Sequence, residues 1–211
     1  MLKIAYLCRP MQLRDLTDTH THHSGRPDAL LSLPPSPAVF RYAAPFSLEL
    51  HPWHVAADAV ALAHQLDEFR CAADALRGNP KLLAIGECGL DNHCAVPLDR
   101  QTEAFRCALA VAHELDLPVV IHCVGFWAEM MACVADANLK RDVIVHGFRK
   151  GPQLARQLLD AGLSIALGEK FNPDVARIIP SDRLFFETDE SETDVLSIRE
   201  KILNLRDSAQ K

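Results

Sequence analysis

Two rhythms of apolar positions alternate through most of the chain. Between residues 56 and 78, Ala59, Leu62, Leu66, Phe69, Ala73 and Leu76 recur every three or four positions, the spacing of one helix face, and Gly78 with Pro80 stops the run. The short apolar run KLLAIGE (81–87) then predicts a buried strand. The same pair of patterns repeats. Helices are predicted over 98–115, 126–137, 151–162 and 194–206, with a short helical piece at 172–180. Strands are predicted at PVVIH (118–122), VIVHG (143–147), LSIALG (163–168) and RLFFETD (183–189). Strand and helix in alternation, joined by short loops, predict a parallel sheet, either doubly wound or closed into a barrel.

The first fifty residues are less regular. LKIAYL (2–7) and LRDLTDTH (13–20) read as weak strands. Residues 24–37 carry four prolines and read as mostly loop. VFRYA (39–43) and FSLEL (46–50) read as extended segments, with Pro45 near the join.

Composition narrows the class. At 211 residues, with 49% hydrophobic and 24% charged positions, the chain suits one sizeable core and is expected to be a single domain over 1–211. The net charge of −6 argues against a protein that coats nucleic acid along a basic face. It leaves room for an enzyme that takes a phosphate at a local metal site. No apolar run is long enough to cross a bilayer, and no signal-peptide pattern opens the chain. Seven cysteines with no Cys-x-x-Cys pair speak against a disulfide framework or a zinc ribbon; reduced thiols in apolar segments suggest a cytoplasmic protein.

The informative polar residues stand where strands end. DTHTH ends in His20 and His22, SLELH in His51, LLAIGE in Glu87, PVVIH in His122, VIVH in His146 and LFFETD in Asp189. In a (β/α)8 barrel all strand C-termini share the face that carries the active site, whereas a doubly wound sheet gathers only those near its switch point. Six such termini favour the barrel. On an extended strand His20 and His22 share a side and His23 points elsewhere. The same alternation turns Cys88 and Cys123 towards the helices. Four histidines and two carboxylates suit two divalent cations bridged by one carboxylate, with zinc, manganese, iron or nickel preferred over calcium. Such a pair polarises a phosphoryl oxygen, acidifies a water and stabilises the leaving oxygen. Neither a Gly-x-Ser-x-Gly elbow nor a phosphate loop is present.

In order, DTHTHH, ELHPWHV, LLAIGECGLD, LPVVIHC, VIVHGF and LFFETD resemble the motifs of the TatD-like metal-dependent hydrolases, from about Asp18 to Asp189. The resemblance implies a TIM barrel of the amidohydrolase type, a two-metal centre and DNase or related phosphodiesterase activity. It implies that His20 and His22 hold one metal with Asp189, and that Glu87 bridges to a second held by His122 and His146. His51 matches a residue lining the site and is a candidate substrate contact, and Asp91 and Glu187 match positions that orient ligands. The chain also departs from the pattern. The interval 23–50 is short, which predicts an abbreviated barrel of about seven strands, with the C-terminal end shortened as well. Val124-Gly125 follows Cys123 where a polar pair, often Arg-Asp, is usual, and ESETDV replaces a proline-containing loop. Residues 1–10 match nothing in the pattern and are read as an upstream or non-native extension, with Met11 the native start.

Two further residues are candidate substrate contacts: Arg149 for a phosphate and Trp53 for a base. His54, His64, His93 and His113 are read as surface or capping residues. The acidic DESETD (189–194) is read as solvated, and it would repel a long polyanion. The expectation is a monomeric hydrolase of phosphodiester bonds using a metal-activated water, with Glu87 bridging and Asp189 as base. It would carry two divalent ions, zinc as isolated and magnesium or manganese in activity. Its partner would be DNA or a small phosphoester, with no membrane and no obligate protein. The rivals are hydrolysis of a small amide, lactone or phosphate ester on the same site, and an inactive metal-binding homologue.

Overall fold

The computed structural model describes residues 9–26 and 28–208, so the LKIAYL segment lies outside the described residues. Eight strands lie in one sheet in chain order: β1 Asp18–Thr21, β2 Ala29–Leu33, β3 Phe46–Leu50, β4 Leu82–Asp91, β5 Val119–Val124, β6 Val143–Val145, β7 Ser164–Leu167 and β8 Leu184–Phe186. Every neighbouring pair is parallel. The ends meet beyond β8, where Thr21 bridges Asp189 and the Asp189 N–H donates to the His20 carbonyl at 3.0 Å. This is a TIM-type α/β barrel.

Six helices follow the later strands: α1 Ala59–Ala75, α2 Leu98–Leu115, α3 Trp127–Ala137, α4 Pro152–Asp160, α5 Pro173–Ile178 and α6 Val195–Ser208. The Asp58 side chain caps α1, accepting from the amides of Val60 and Ala61 at 3.0 Å each. The predicted apolar stripe then turns inward, with Leu62, Leu66, Phe69 and Ala73 buried against the sheet.

The strand count corrects the expected seven. Ala29–Leu33 is a strand inside the segment read as loop, because Pro34, Pro35 and Pro37 follow the apolar run and end it instead of interrupting it. VFRYA is a 3-10 turn over Val39–Arg41, not an extended segment. What is shortened is the helical layer: among the described residues no α-helix follows β1 or β2. Seven residues separate β1 from β2. Extended, they reach about 23 Å, enough to return along a four-residue strand of about 13 Å.

Inside the barrel the strands carry two layers. Leu30, Ala84, Val120, Ile144, Ala166 and Phe185 pack together with Leu13, Leu16 and Leu83. Two positions further on stand Ser32 and His122 within their strands and His146, Gly168 and Glu187 just past the ends of theirs, on the same face by the period of two. On β4 the step from Ala84 to Glu87 is three residues, across a register shift between Ile85 and Cys88. Among the described residues no helix is long and apolar enough to cross a membrane. The six described cysteines are free thiols.

Candidate metal centre

Glu87 occupies the middle of the barrel mouth, buried on β4. The strand lies close against β5 because of its glycines: a Cβ at Gly86 would overlap the Val120 carbonyl, and one at Gly89 the His122 carbonyl. Their φ values, +126° and +150°, are also ones that side chains disfavour. The two carboxylate oxygens of Glu87 face different partners. Oε2 lies 3.1 Å from His22 Nε2 and 3.2 Å from His20 Nε2. Oε1 lies 2.6 Å from His146 Nε2, 2.7 Å from His122 Nδ1 and 3.3 Å from His51 Nε2. Asp189 joins the first side, with Oδ1 3.9 Å from His20 Nε2 and 4.0 Å from His22 Nε2. Its backbone is left-handed, at φ +54°, and is pinned to β1 by its own N–H and by the His22 N–H, which donates to its carbonyl at 3.2 Å. His23 turns away, 3.7 Å from Glu192.

Burial works against charge throughout this cluster, and the neighbours decide each outcome. Burial would push His20 down, but the Glu87 carboxylate outweighs it and holds His20 up at about 9. Burial likewise opposes ionisation of Glu87, yet the His146 and His20 imidazoles hold its carboxyl well below the usual range. His146 is lowered by burial, which favours its neutral, metal-binding form. Glu187 is raised by burial to about 8; its Oε1 accepts the Gly147 N–H at 2.5 Å and its Oε2 lies 3.8 Å from His146 Nδ1.

Several buried atoms lack the partner that burial demands. Among the described residues, His20 Nδ1 and Nε2, His146 Nδ1 and Glu187 Oε2 make no hydrogen bond. His20 Nε2 is near Glu87, but not along a direction a hydrogen bond can use. Three groups bring donor atoms within 4.8 Å of one another: His20, His22 and Asp189; His20, Glu87 and His146; His51, Glu87 and His122. Imidazole nitrogens mixed with carboxylate oxygens form the donor set of zinc, manganese and iron, so the residues present fit a divalent metal. The family model described as TatD related DNase matches residues 42–193. The chain belongs to the TatD related DNase family.

Relatives of this TatD chain include the 3'-5' ssDNA/RNA exonuclease TatD of a Rahnella strain, 40% identical over 123 residues that cover 52% of this chain and 46% of that protein. The metal-dependent hydrolase YabD of Bacillus subtilis is 32% identical over 123 residues, 54% of this chain and 48% of YabD. The chain spans about half the length of the curated relatives it matches. Among solved structures, the TatD homologue YJJV of Escherichia coli K12 shares the fold with a TM-score of 0.64 at 21% identity, over 89% of this chain and 95% of that one.

The remaining predicted site residues stand around this core. Asp91 Oδ2 lies 2.8 Å from His122 Nε2. A carboxylate only accepts, so Nε2 donates to Asp91, and Nδ1, 2.7 Å from Glu87 Oε1, is the nitrogen left to face a metal. The same oxygen accepts the Trp53 indole N–H at 2.7 Å, which fixes a ring that is 58% exposed at the rim. Arg149, at 57% side-chain exposure, lies 3.7 Å from Asp189 Oδ2. It borders a polar cavity of about 410 Å³ shared with Lys170, Glu187 and Asp189. His51, expected at the substrate, has its ring 4.6 Å from that of His122, among the donor atoms themselves.

Three of the buried polar residues left without a role by the sequence stand beside this cluster. Asp18 accepts from the Thr188 hydroxyl at 2.6 Å and from the His20 N–H at 3.3 Å, joining β1 to the chain after β8; burial raises its pKa. Glu49 accepts from the Ser32 hydroxyl at 3.0 Å and lies 3.2 Å from His54 Nδ1. Glu49 stands two residues before His51, so strand parity alone placed both on one face. Ser32 gave no signal, because its strand was read as loop.

Proposed function

We propose that this chain is a two-metal hydrolase of phosphodiester bonds with DNA as its substrate. The observation that carries the reading is the division of Glu87, whose two oxygens face separate sets of imidazoles. His20, His22 and Asp189 would hold one divalent ion and His122 and His146 the other, with Glu87 shared. Bound there, such ions supply Lewis acidity to a phosphoryl oxygen and lower the pKa of water towards neutrality. Zinc suits the imidazoles in the isolated protein, with magnesium or manganese supporting turnover.

The protein's own groups divide the remaining work. Asp189 Oδ1 faces the His20 and His22 pair while Oδ2 faces Arg149. That carboxylate can take the proton from the attacking water at the point where Arg149 meets a phosphate oxygen. Asp91 holds His122, and Glu187, anchored by the Gly147 amide, stands behind His146. Trp53 offers its exposed face to a base. The exonuclease named TatD among its relatives supports this substrate class. The acidic Glu190 and Glu192 beside the cavity favour a second reading, a small phosphate ester in place of a long strand.

The test is cleavage of single-stranded DNA, with small esters and amides in parallel, by protein stripped of metal and reloaded. The account predicts DNA cleavage that requires metal, is lost in Glu87→Ala and is strongly reduced in Asp189→Asn with metal still bound. Turnover of small esters alone would move the substrate to the second reading. Full turnover by Asp189→Asn would remove the base assignment.

A further inference from the structure

Two of the residues left without a role by the sequence make one connected path to Glu87. Ser32 on β2 and Glu49 on β3 are both buried at the mouth. The Ser32 hydroxyl donates to Glu49 Oε2 at 3.0 Å and accepts the Glu87 N–H at 3.2 Å. A hydroxyl has a single proton; with that proton committed to a carboxylate, only its lone pairs face the Glu87 amide. Glu49 therefore sets the direction of Ser32, and Ser32 holds the main chain from which the Glu87 carboxylate projects.

The other Glu49 oxygen faces the turn after β3. Oε1 lies 3.2 Å from His54 Nδ1, and Gln65 braces that turn, donating to the His54 carbonyl at 2.8 Å and accepting the Ala56 N–H at 2.9 Å. The turn begins at His51, whose Nε2 faces Glu87 Oε1. Burying a carboxylate is unfavourable unless it is paired or hydrogen-bonded, and Glu49 has the Ser32 hydroxyl and the His54 imidazole beside it. A glutamate that served only packing would be a poor choice at this point.

Resting on the two-metal reading above, we propose that Glu49 and Ser32 are positioning residues for the shared carboxylate. The Glu49–Ser32–Glu87 relay holds the Glu87 main chain so that its two oxygens face separate ligand sets. Neither residue touches the reacting atoms. Their effect passes through Glu87 and is read first in metal binding, before any activity.

The experiment loads stripped wild type, Ser32→Ala, Glu49→Ala, Glu49→Gln and the Ser32→Ala/Glu49→Ala double variant with cobalt(II). It records the visible absorption spectrum, the affinity by chelator competition and the circular dichroism of each stripped protein. Ser32→Ala and Glu49→Ala are expected to alter the cobalt spectrum and weaken binding by about ten- to a hundred-fold. The double variant should be no worse than Ser32→Ala, because both residues act along one path. Glu49→Gln, whose amide oxygen still accepts the Ser32 hydroxyl, should keep the wild-type spectrum. Wild-type spectrum and affinity in Ser32→Ala, or additive losses in the double variant, would overturn the relay and leave the metal centre standing. Should Ser32→Ala lose its fold, the two Glu49 variants decide: equal spectra would overturn the relay, and a change in Glu49→Ala alone would support it. Wild type that binds no cobalt would overturn the metal reading and the relay with it.

Discussion

Along β5 the barrel interior passes from Val120 to His122, from Ile144 on β6 to His146 just beyond it, and from Phe185 on β8 to Glu187 just beyond it. The first members of these pairs form an apolar floor and the second an ionisable mouth, two residues apart on the same strand face. Both layers hold fully enclosed side chains, Ile144 in the floor and Glu187 in the mouth. Its energetic sign is opposite. A buried Val, Ile or Phe contributes about 1.5–3 kcal/mol. A buried ion costs several kcal/mol unless a partner compensates. In the mouth the compensation is mutual, imidazoles around one carboxylate, and it leaves nitrogens without hydrogen bonds. The floor makes the barrel stable, and that stability permits a mouth built for binding.

If the two layers divide the work this way, substitutions should separate them. The largest effect belongs to Glu87→Ala, which removes the shared carboxylate: DNA cleavage should fall by on the order of a thousand-fold or more, about 4 kcal/mol in the barrier. Activity within ten-fold of wild type would break the comparison from the mouth side. Ile144→Ala, two residues below His146, should cost about 2–5 kcal/mol of stability in urea denaturation. It should leave the number of bound metals unchanged, and a loss of metal in the folded variant would show that the layers are not separable. Asp91→Asn should weaken metal binding by about ten- to a hundred-fold, through the orientation of His122. Unchanged affinity would remove Asp91 from the site.

The smallest effect is one of pH. In the metal-free protein His20 holds a proton up to about 9, because the Glu87 carboxylate outweighs burial. A cation must displace that proton, so apparent metal affinity should rise as pH climbs towards about 9 and level off above it. Calorimetric titrations in buffers of different ionisation enthalpy would count the protons released. A flat affinity from about pH 6 to about pH 9 would contradict the assignment.

Much of this was legible because each late strand is a short apolar run closed by one chemical residue. His122 and His146 end such runs, and helix α2 occupies the same residues, Leu98–Leu115, as its apolar rhythm. Strand β2 was not legible: without a following helix it lacks the 3.6 rhythm that frames its neighbours, and the prolines after it dominate the window. Ser32 was hidden with it. Closure was legible only in the six chemical strand ends that one face must share; its contacts were not, since the Thr21 bridge to Asp189 and the Thr188 hydroxyl bond to Asp18 join residues far apart in the chain. The metal-like grouping of His51 with Glu87 and His122 emerges only once the strands are curved into a barrel.

If Glu87 stands between two cations, a crystal grown with manganese should show both. Anomalous scattering should show two peaks, one beside His20, His22 and Asp189 and one beside His122 and His146, with a Glu87 oxygen on each. No peak at the mouth, or a single peak that Glu87 does not touch, would contradict the account.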